Sequence, residues 1–71
     1  VGTLRISMIF SHIGYLVFGL GRSGQATVEW LLNRGAQVFV ADANPTCMDE
    51  AIAKGARPFE DKFWPHIAGL I

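Results

Sequence analysis

The tightest constraint on this chain is a glycine spacing and what stands on either side of it. Tyr15-Leu16-Val17-Phe18 is an unbroken apolar run, and Gly19-Leu20-Gly21-Arg22-Ser23-Gly24 follows without a gap. A short, wholly apolar run ending at glycine reads as a strand buried on both faces of a parallel sheet. The G-x-G-x-x-G spacing gains meaning when it leaves such a strand and opens a helix. Gly19 permits the tight turn out of the strand, Gly21 leaves room for a ligand to reach the backbone, and Gly24 lets the helix pack close to the sheet. Free N–H groups and the positive end of the helix then face any anion placed there.

The rest of the chain supplies the elements that this turn requires. Gln25 to Arg34 reads as a helix. At 100° per residue Gly24, Thr27, Val28, Leu31 and Gly35 share one stripe, Trp30 and Leu32 flank it, and Gln25, Glu29 and Asn33 fall on the opposite, polar side. Gly35 is placed to end the helix in a left-handed conformation. Gln37 to Ala41 is a second apolar strand with Asp42 at its carboxyl end, where an acid can accept a hydrogen bond from a ribose hydroxyl or a base N–H. Asn44-Pro45 suits a helix start, as N-cap and first helical residue. Thr46 with Asp49 offers a competing capping box. Met48, Ala51 and Ile52 form that helix's buried face, and Gly55 stops it. Arg57-Pro58-Phe59 is a weak third strand, which Pro58 confines to an edge. Glu60 to His66 is a polar-aromatic connection. Ala68 to Ile71 reads as the start of a fourth strand, cut before it is complete, so the chain is expected to be a fragment. Strand and helix alternate throughout, which predicts an α/β fold on a parallel sheet, with a right-handed crossover between the first two strands.

Composition narrows the function classes. Six Lys+Arg balance six Asp+Glu in 71 residues, and 51% of residues are hydrophobic. Disorder is excluded on that balance, and no basic cluster offers to neutralise nucleic-acid phosphates. The single cysteine, Cys47, excludes a disulfide framework and fits a reducing compartment. No apolar run approaches the roughly 18–20 residues of a membrane span, and Arg5, Ser7, Ser11 and His12 break any signal-peptide pattern. A cytosolic protein is the simplest expectation. Residues 1–14 read as an N-terminal extension, of which 1–7 precede the first methionine, Met8, and are either upstream sequence or an ordered extension. Residues 15–71 form one partial domain.

Other residues are weaker candidates. His12 and His66 have no ligand partners at metal spacing and read as surface or loop residues. Cys47 lies in the first turn of a helix, where a thiol pKa can fall, but a plain small residue is the simpler reading. Trp64 beside Pro65 reads as a hydrophobic plug beneath the sheet rather than a ligand platform. Arg22 is either a phosphate clamp or a solvated side chain on an exposed turn. Ser23 is a candidate helix cap or ligand donor.

The stretches Tyr15–Ala26, Leu31–Val38 and Ala41–Pro45 together resemble the opening of the Mur ligase family of bacterial peptidoglycan-precursor enzymes, and within it the D-glutamate-adding branch. The resemblance runs from about Tyr15 to Ile71. It implies a Rossmann-like domain holding the UDP part of UDP-N-acetylmuramoyl-L-alanine. In the family a second domain carries ATP and Mg²⁺, and a third helps bind the amino acid. An acyl phosphate formed on the substrate carboxylate is attacked by the D-glutamate amine. The resemblance places the UDP contacts on Gly21, Arg22, Ser23 and Gly24 in the turn and on Asp42, Ala43 and Asn44 after the second strand. Ala43 lacks a hydroxyl sometimes found there, and Asn44 replaces a longer residue, which leaves those two contacts to backbone. No catalytic residue, metal site or ATP site is expected in this chain, which alone should be inactive. The glycine spacing leaves two other classes open: the cofactor half of an NAD-dependent dehydrogenase, and a nucleotide-sensing regulatory module.

Overall fold

The computed structural model describes residues 14–71. The expected extension lies outside the described residues except for Gly14, as does His12. Gly14 is the first residue of strand β1, Gly14–Phe18, so the strand starts one residue before the apolar run. Helix α1 follows at Arg22–Asn33, strand β2 at Gln37–Ala41, helix α2 at Pro45–Lys54, strand β3 at Arg57–Pro58, a 3-10 helix at Asp61–His66 and strand β4 at Ile67–Leu70. The four strands form one parallel sheet in the order β3-β2-β1-β4, which is the α/β, Rossmann-like arrangement expected, in an open sheet.

Register explains the two layers. Tyr15 pairs with Val38 and Val17 with Val40. Side chains alternate along a strand, so these four share one face. They pack with Val28 and Leu31 of α1 and with Ala51, Cys47 and Met48 of α2 in a single core. Both long helices therefore cover the same face. Each fully buried aliphatic side chain there contributes about 1.5–3 kcal/mol relative to exposure. Leu16 and Phe39 point to the other face, and both are buried. Phe39 meets Phe63 of the 3-10 helix at 4.7 Å between ring centroids and Phe59 edge-on at 6.5 Å. The plug beneath the sheet is thus Phe63 with Phe59. Trp64, expected in that role, stands edge-on to Phe59 at 4.8 Å and remains 47% exposed. It follows Phe63 within the 3-10 helix Asp61–His66, where Phe63 is half-buried and Trp64 is exposed.

Element boundaries differ from expectation where backbone geometry outweighs pattern. Helix α1 begins at Arg22, three residues before the start that the polar pattern suggests, with Gly21 as N-cap. The glycines of the turn are therefore not all outside the helix; Gly24 is in its first turn. At the other end Arg34 and Gly35 donate to the carbonyls of Leu31 and Leu32 at 3.1 and 3.0 Å, and Gly35 takes a φ of 80°, the left-handed end foreseen. Pro58 pairs with Val40 at the sheet edge, where its missing N–H costs no ladder bond.

Candidate functional site

The chain moves outward from β1 to β2 and β3, then returns to lay β4 on the opposite side of β1. The direction of strand order reverses between β1 and β4, and ligands of open parallel sheets bind at the carboxyl ends of strands near such a reversal. The glycine turn leaves β1 at that end, and the loop after β2 stands beside it.

Gly19 leaves the strand with a φ of 77°, a conformation side chains disfavour. Its N–H donates to the Ala41 carbonyl at 3.1 Å, which ties the turn to the end of β2. Leu20, the variable residue inside the motif, is 1% exposed and anchors the turn in the core. A Cβ on Gly24 would run into the Gly19 carbonyl oxygen, so only glycine lets α1 approach this closely. Gly21 differs: its φ is −69° and nothing lies within 4 Å of where its Cβ would stand. Neither conformation nor packing within the chain requires glycine there. What its missing side chain provides is open space above the backbone.

The first N–H groups of a helix have no intrahelical acceptor. In α1 these belong to Arg22, Ser23 and Gly24, and no side chain caps them. Ser23 lies inside the first turn, two residues past the capping position at Gly21, and does not cap the helix. Its carbonyl accepts from the Thr27 hydroxyl at 3.0 Å. Gly21, Arg22 and Ser23 are exposed and Gly24 is half-buried.

The structure brings the second stretch to the first through Asp42. One carboxylate oxygen, Oδ2, accepts the Leu20 N–H at 2.5 Å, and the other, Oδ1, accepts the Asn44 N–H at 2.7 Å. These two bonds to the charged form, that from Leu20 foremost, hold the Asp42 pKa below the usual 3.8 against a small opposing effect of desolvation. Ala43 is exposed beside it. Asn44 turns its side chain back on α2, accepting from Thr46 N–H at 2.9 Å and Cys47 N–H at 3.3 Å, so Asn44 rather than Thr46 is the cap.

Gln25 is the residue that sequence periodicity misplaced. Counted as polar and opposite the buried stripe, it is half-buried, and its Nε2 donates to the carbonyls of Cys47 at 2.9 Å and Leu20 at 3.3 Å. Starting α1 at Arg22 would have flagged it, since a first-turn side chain lies within reach of the turn. His66 is exposed and ends the 3-10 helix. Among the described residues no group of three or more His, Cys, Asp or Glu is placed to hold a metal ion, and no helix is long and apolar enough to cross a membrane.

Against protein-family models the chain finds no match. Among curated proteins it is similar to UDP-N-acetylmuramoylalanine–D-glutamate ligase of Zymomonas mobilis subsp. mobilis, with 41% identity over 71 residues. That match takes in 90% of this chain and 16% of the ligase. A match this broad includes the glycine turn and the loop after β2. The chain is thus similar over nearly all of its length to a small part of a D-glutamate ligase.

Proposed function

We propose that the chain is the UDP-binding part of an ATP-dependent, ADP-forming ligase that adds D-glutamate to UDP-N-acetylmuramoyl-L-alanine in cytoplasmic peptidoglycan-precursor synthesis. The observation that carries this reading is the open, uncapped turn at Gly21–Ser23, in a chain 41% identical to a D-glutamate ligase. The diphosphate lies against the N–H groups of Arg22, Ser23 and Gly24, where the positive end of α1 favours an anion. Gly21 lets it approach the backbone, and Arg22 is free on the surface to meet its charge. The uracil faces Asp42, Ala43 and Asn44. Asp42 is ionised at neutral pH, and each of its oxygens keeps a lone pair beyond the backbone bond it accepts. The 71 residues contain no G-x-x-G-K-[ST] cradle for ATP phosphates and the Mg²⁺ that accompanies them. In this reading those groups belong to the remainder of a chain of the ligase's length, and these 71 residues alone give no D-glutamate-dependent ADP release.

Titration of the ¹⁵N-labelled chain with UDP tests the assignment. The amides of Gly21 to Gly24 and of Ala43 and Asn44 are expected to shift together. Gly21→Val is expected to lower stability by only about 1 kcal/mol or less, because valine is a poorer N-cap than glycine while its side chain meets nothing in the fold, and to weaken UDP binding about tenfold or more. Shifts produced by NAD and not by UDP would move the assignment to a dehydrogenase cofactor domain. Sequencing the locus beyond codon 71 gives a second check, with a P-loop expected downstream; its absence counts against the ligase.

A further inference from the structure

Leu20 belongs to a closed ring of hydrogen bonds that joins the glycine turn, the β2–α2 loop and both helices. Its N–H goes to Asp42, Asp42 accepts the Asn44 N–H, and Asn44 accepts the Cys47 N–H. The Cys47 carbonyl then accepts from Gln25 Nε2, and the second Nε2 hydrogen returns to the Leu20 carbonyl. Lys54 Nζ donates to Gln25 Oε1 at 2.8 Å from the last turn of α2, and lies 3.6 Å from Glu29. Two carbonyls on one side and an ammonium on the other allow the Gln25 amide one orientation only.

We propose that Gln25 is a positioning residue for nucleotide binding, a proposal that rests on the UDP reading above. A peptide group is planar, so its carbonyl and the following N–H point in opposite directions. By holding the Leu20 carbonyl, Gln25 sets the direction of the Gly21 N–H. By holding the Leu20 N–H, Asp42 fixes the peptide plane before it. The Leu20 side chain is buried between them, so the turn cannot swivel about either plane without breaking a bond to α2 or to the β2–α2 loop. The turn is thereby set before a diphosphate arrives, and the ordering cost that would otherwise reduce affinity is already met. Lys54 acts one step further out, by keeping Gln25 turned toward the carbonyls.

The ¹⁵N resonance of Gly21 reports the Leu20 carbonyl directly, since the two share a peptide group. In Gln25→Leu, which keeps bulk and helix propensity, that resonance is expected to move, and the UDP Kd to rise about 3–10-fold, the range for one net hydrogen bond. Gln25→Glu presents an acceptor of equal length to the same carbonyls and is expected to lose at least as much. Lys54→Met changes an exposed residue, and a smaller move of the same resonance with a Kd rise of about twofold is expected. If Gln25→Leu lowers the melting temperature yet leaves UDP affinity and the Gly21 resonance as in the parent, Gln25 is structural only and the proposal falls. Should Gln25→Leu fail to fold, Lys54→Met decides: an unmoved Gly21 resonance overturns the proposal. A parent chain that does not bind UDP removes the functional reading instead, and the Gly21 resonance alone then decides whether Gln25 sets the turn.

Discussion

The two helices start beside each other at the carboxyl edge of the same sheet, and they start in opposite ways. At α2 the chain closes its own accounts: Asn44 accepts the second and third N–H groups, Pro45 has no N–H to satisfy, and Asp42 takes the Asn44 N–H. At α1 a glycine stands in the capping position and no side chain makes a capping hydrogen bond to the first N–H groups. The sequence had the means to cap both, since a single Asn or Ser at position 21 would fit the φ of −69° and the empty space there. A helix start left without a side-chain cap, at the same sheet edge as one that is capped, marks the place where an acceptor from outside the chain is expected. A glycine retained where the fold does not need one points to the same place.

The comparison breaks most readily at the third residue of each helix. Gly24→Val drives a side chain into the Gly19 carbonyl, and about 3 kcal/mol of stability is expected to be lost in a chemical-denaturation series, an overpacking cost at its upper range. Cys47→Ala, at the matching position of α2, removes only a half-buried thiol and is expected to cost about 1 kcal/mol or less. Equal costs would show that close approach is not special to α1.

Exchanging the caps sharpens the contrast. Asn44→Ala is expected to lower stability by about 1 kcal/mol through loss of the α2 cap. Gly21→Asn is expected to raise it by a few tenths of a kcal/mol while weakening UDP binding, because the new side chain takes the N–H groups meant for the ligand. Denaturation midpoints and UDP titrations of the two variants suffice. A Gly21→Asn chain that gains stability and keeps its affinity would remove the link between bareness and binding.

Acid distinguishes the two regions again, through the carboxylate that joins them. Because the Asp42 pKa is lower in the folded chain than unfolded, the unfolded state takes up a proton first as pH falls. The stabilisation is therefore complete above the ordinary carboxylate range. It declines as pH drops below about 3.8 and is gone only beneath the lowered native value. Urea midpoints of the parent chain should fall faster across that window than those of Asp42→Asn, whose side chain does not titrate. Parallel curves would show that the two backbone bonds to Asp42 contribute nothing. The smallest effect belongs to Lys54 and Glu29, 3.6 Å apart and both solvated. Raising salt to 1 M is expected to change stability through this pair by about 0.5 kcal/mol or less.

Much of this was legible in the residues, for identifiable reasons. Strand β2 was bounded correctly because a buried parallel strand is nearly continuous in apolar residues: Val38–Ala41 follow Gln37, the exposed first residue of the strand, and Asp42 ends the run. The Asn44-Pro45 start of α2 was legible because both residues act through local geometry. The early start of α1 was not. Arg22 and Ser23 carry no apolar periodicity, and the helix is extended through them by the way Gly19 and the buried Leu20 aim the chain. Gln25 was misread for the same reason: an assumed start at residue 25 leaves no preceding turn for its side chain to reach. From the sequence, Asp42 was an acceptor for a ribose hydroxyl or base N–H, and the structure shows it accepting two backbone N–H groups. Its bond to Leu20, which spans two loops, depends on strand register and could not be read from spacing.

The central position of β1 also has a kinetic consequence. β1 pairs with β2 across one intervening helix, whereas its pairing with β4 joins residues roughly twice as far apart along the chain. Closing the longer loop costs more chain entropy before any contact rewards it. The β1–α1–β2 unit is therefore expected to assemble first and to wait with one edge of β1 unpaired. Phe18, 53% exposed even in the finished sheet, lies on that waiting edge and completes its backbone pairing only when its N–H meets the Ile71 carbonyl, 2.9 Å away. An exposed apolar edge is a template for pairing with another chain, so the interval before β4 docks is when this protein is most open to aggregation. Refolding yield should depend more steeply on concentration than on anything done to the helices.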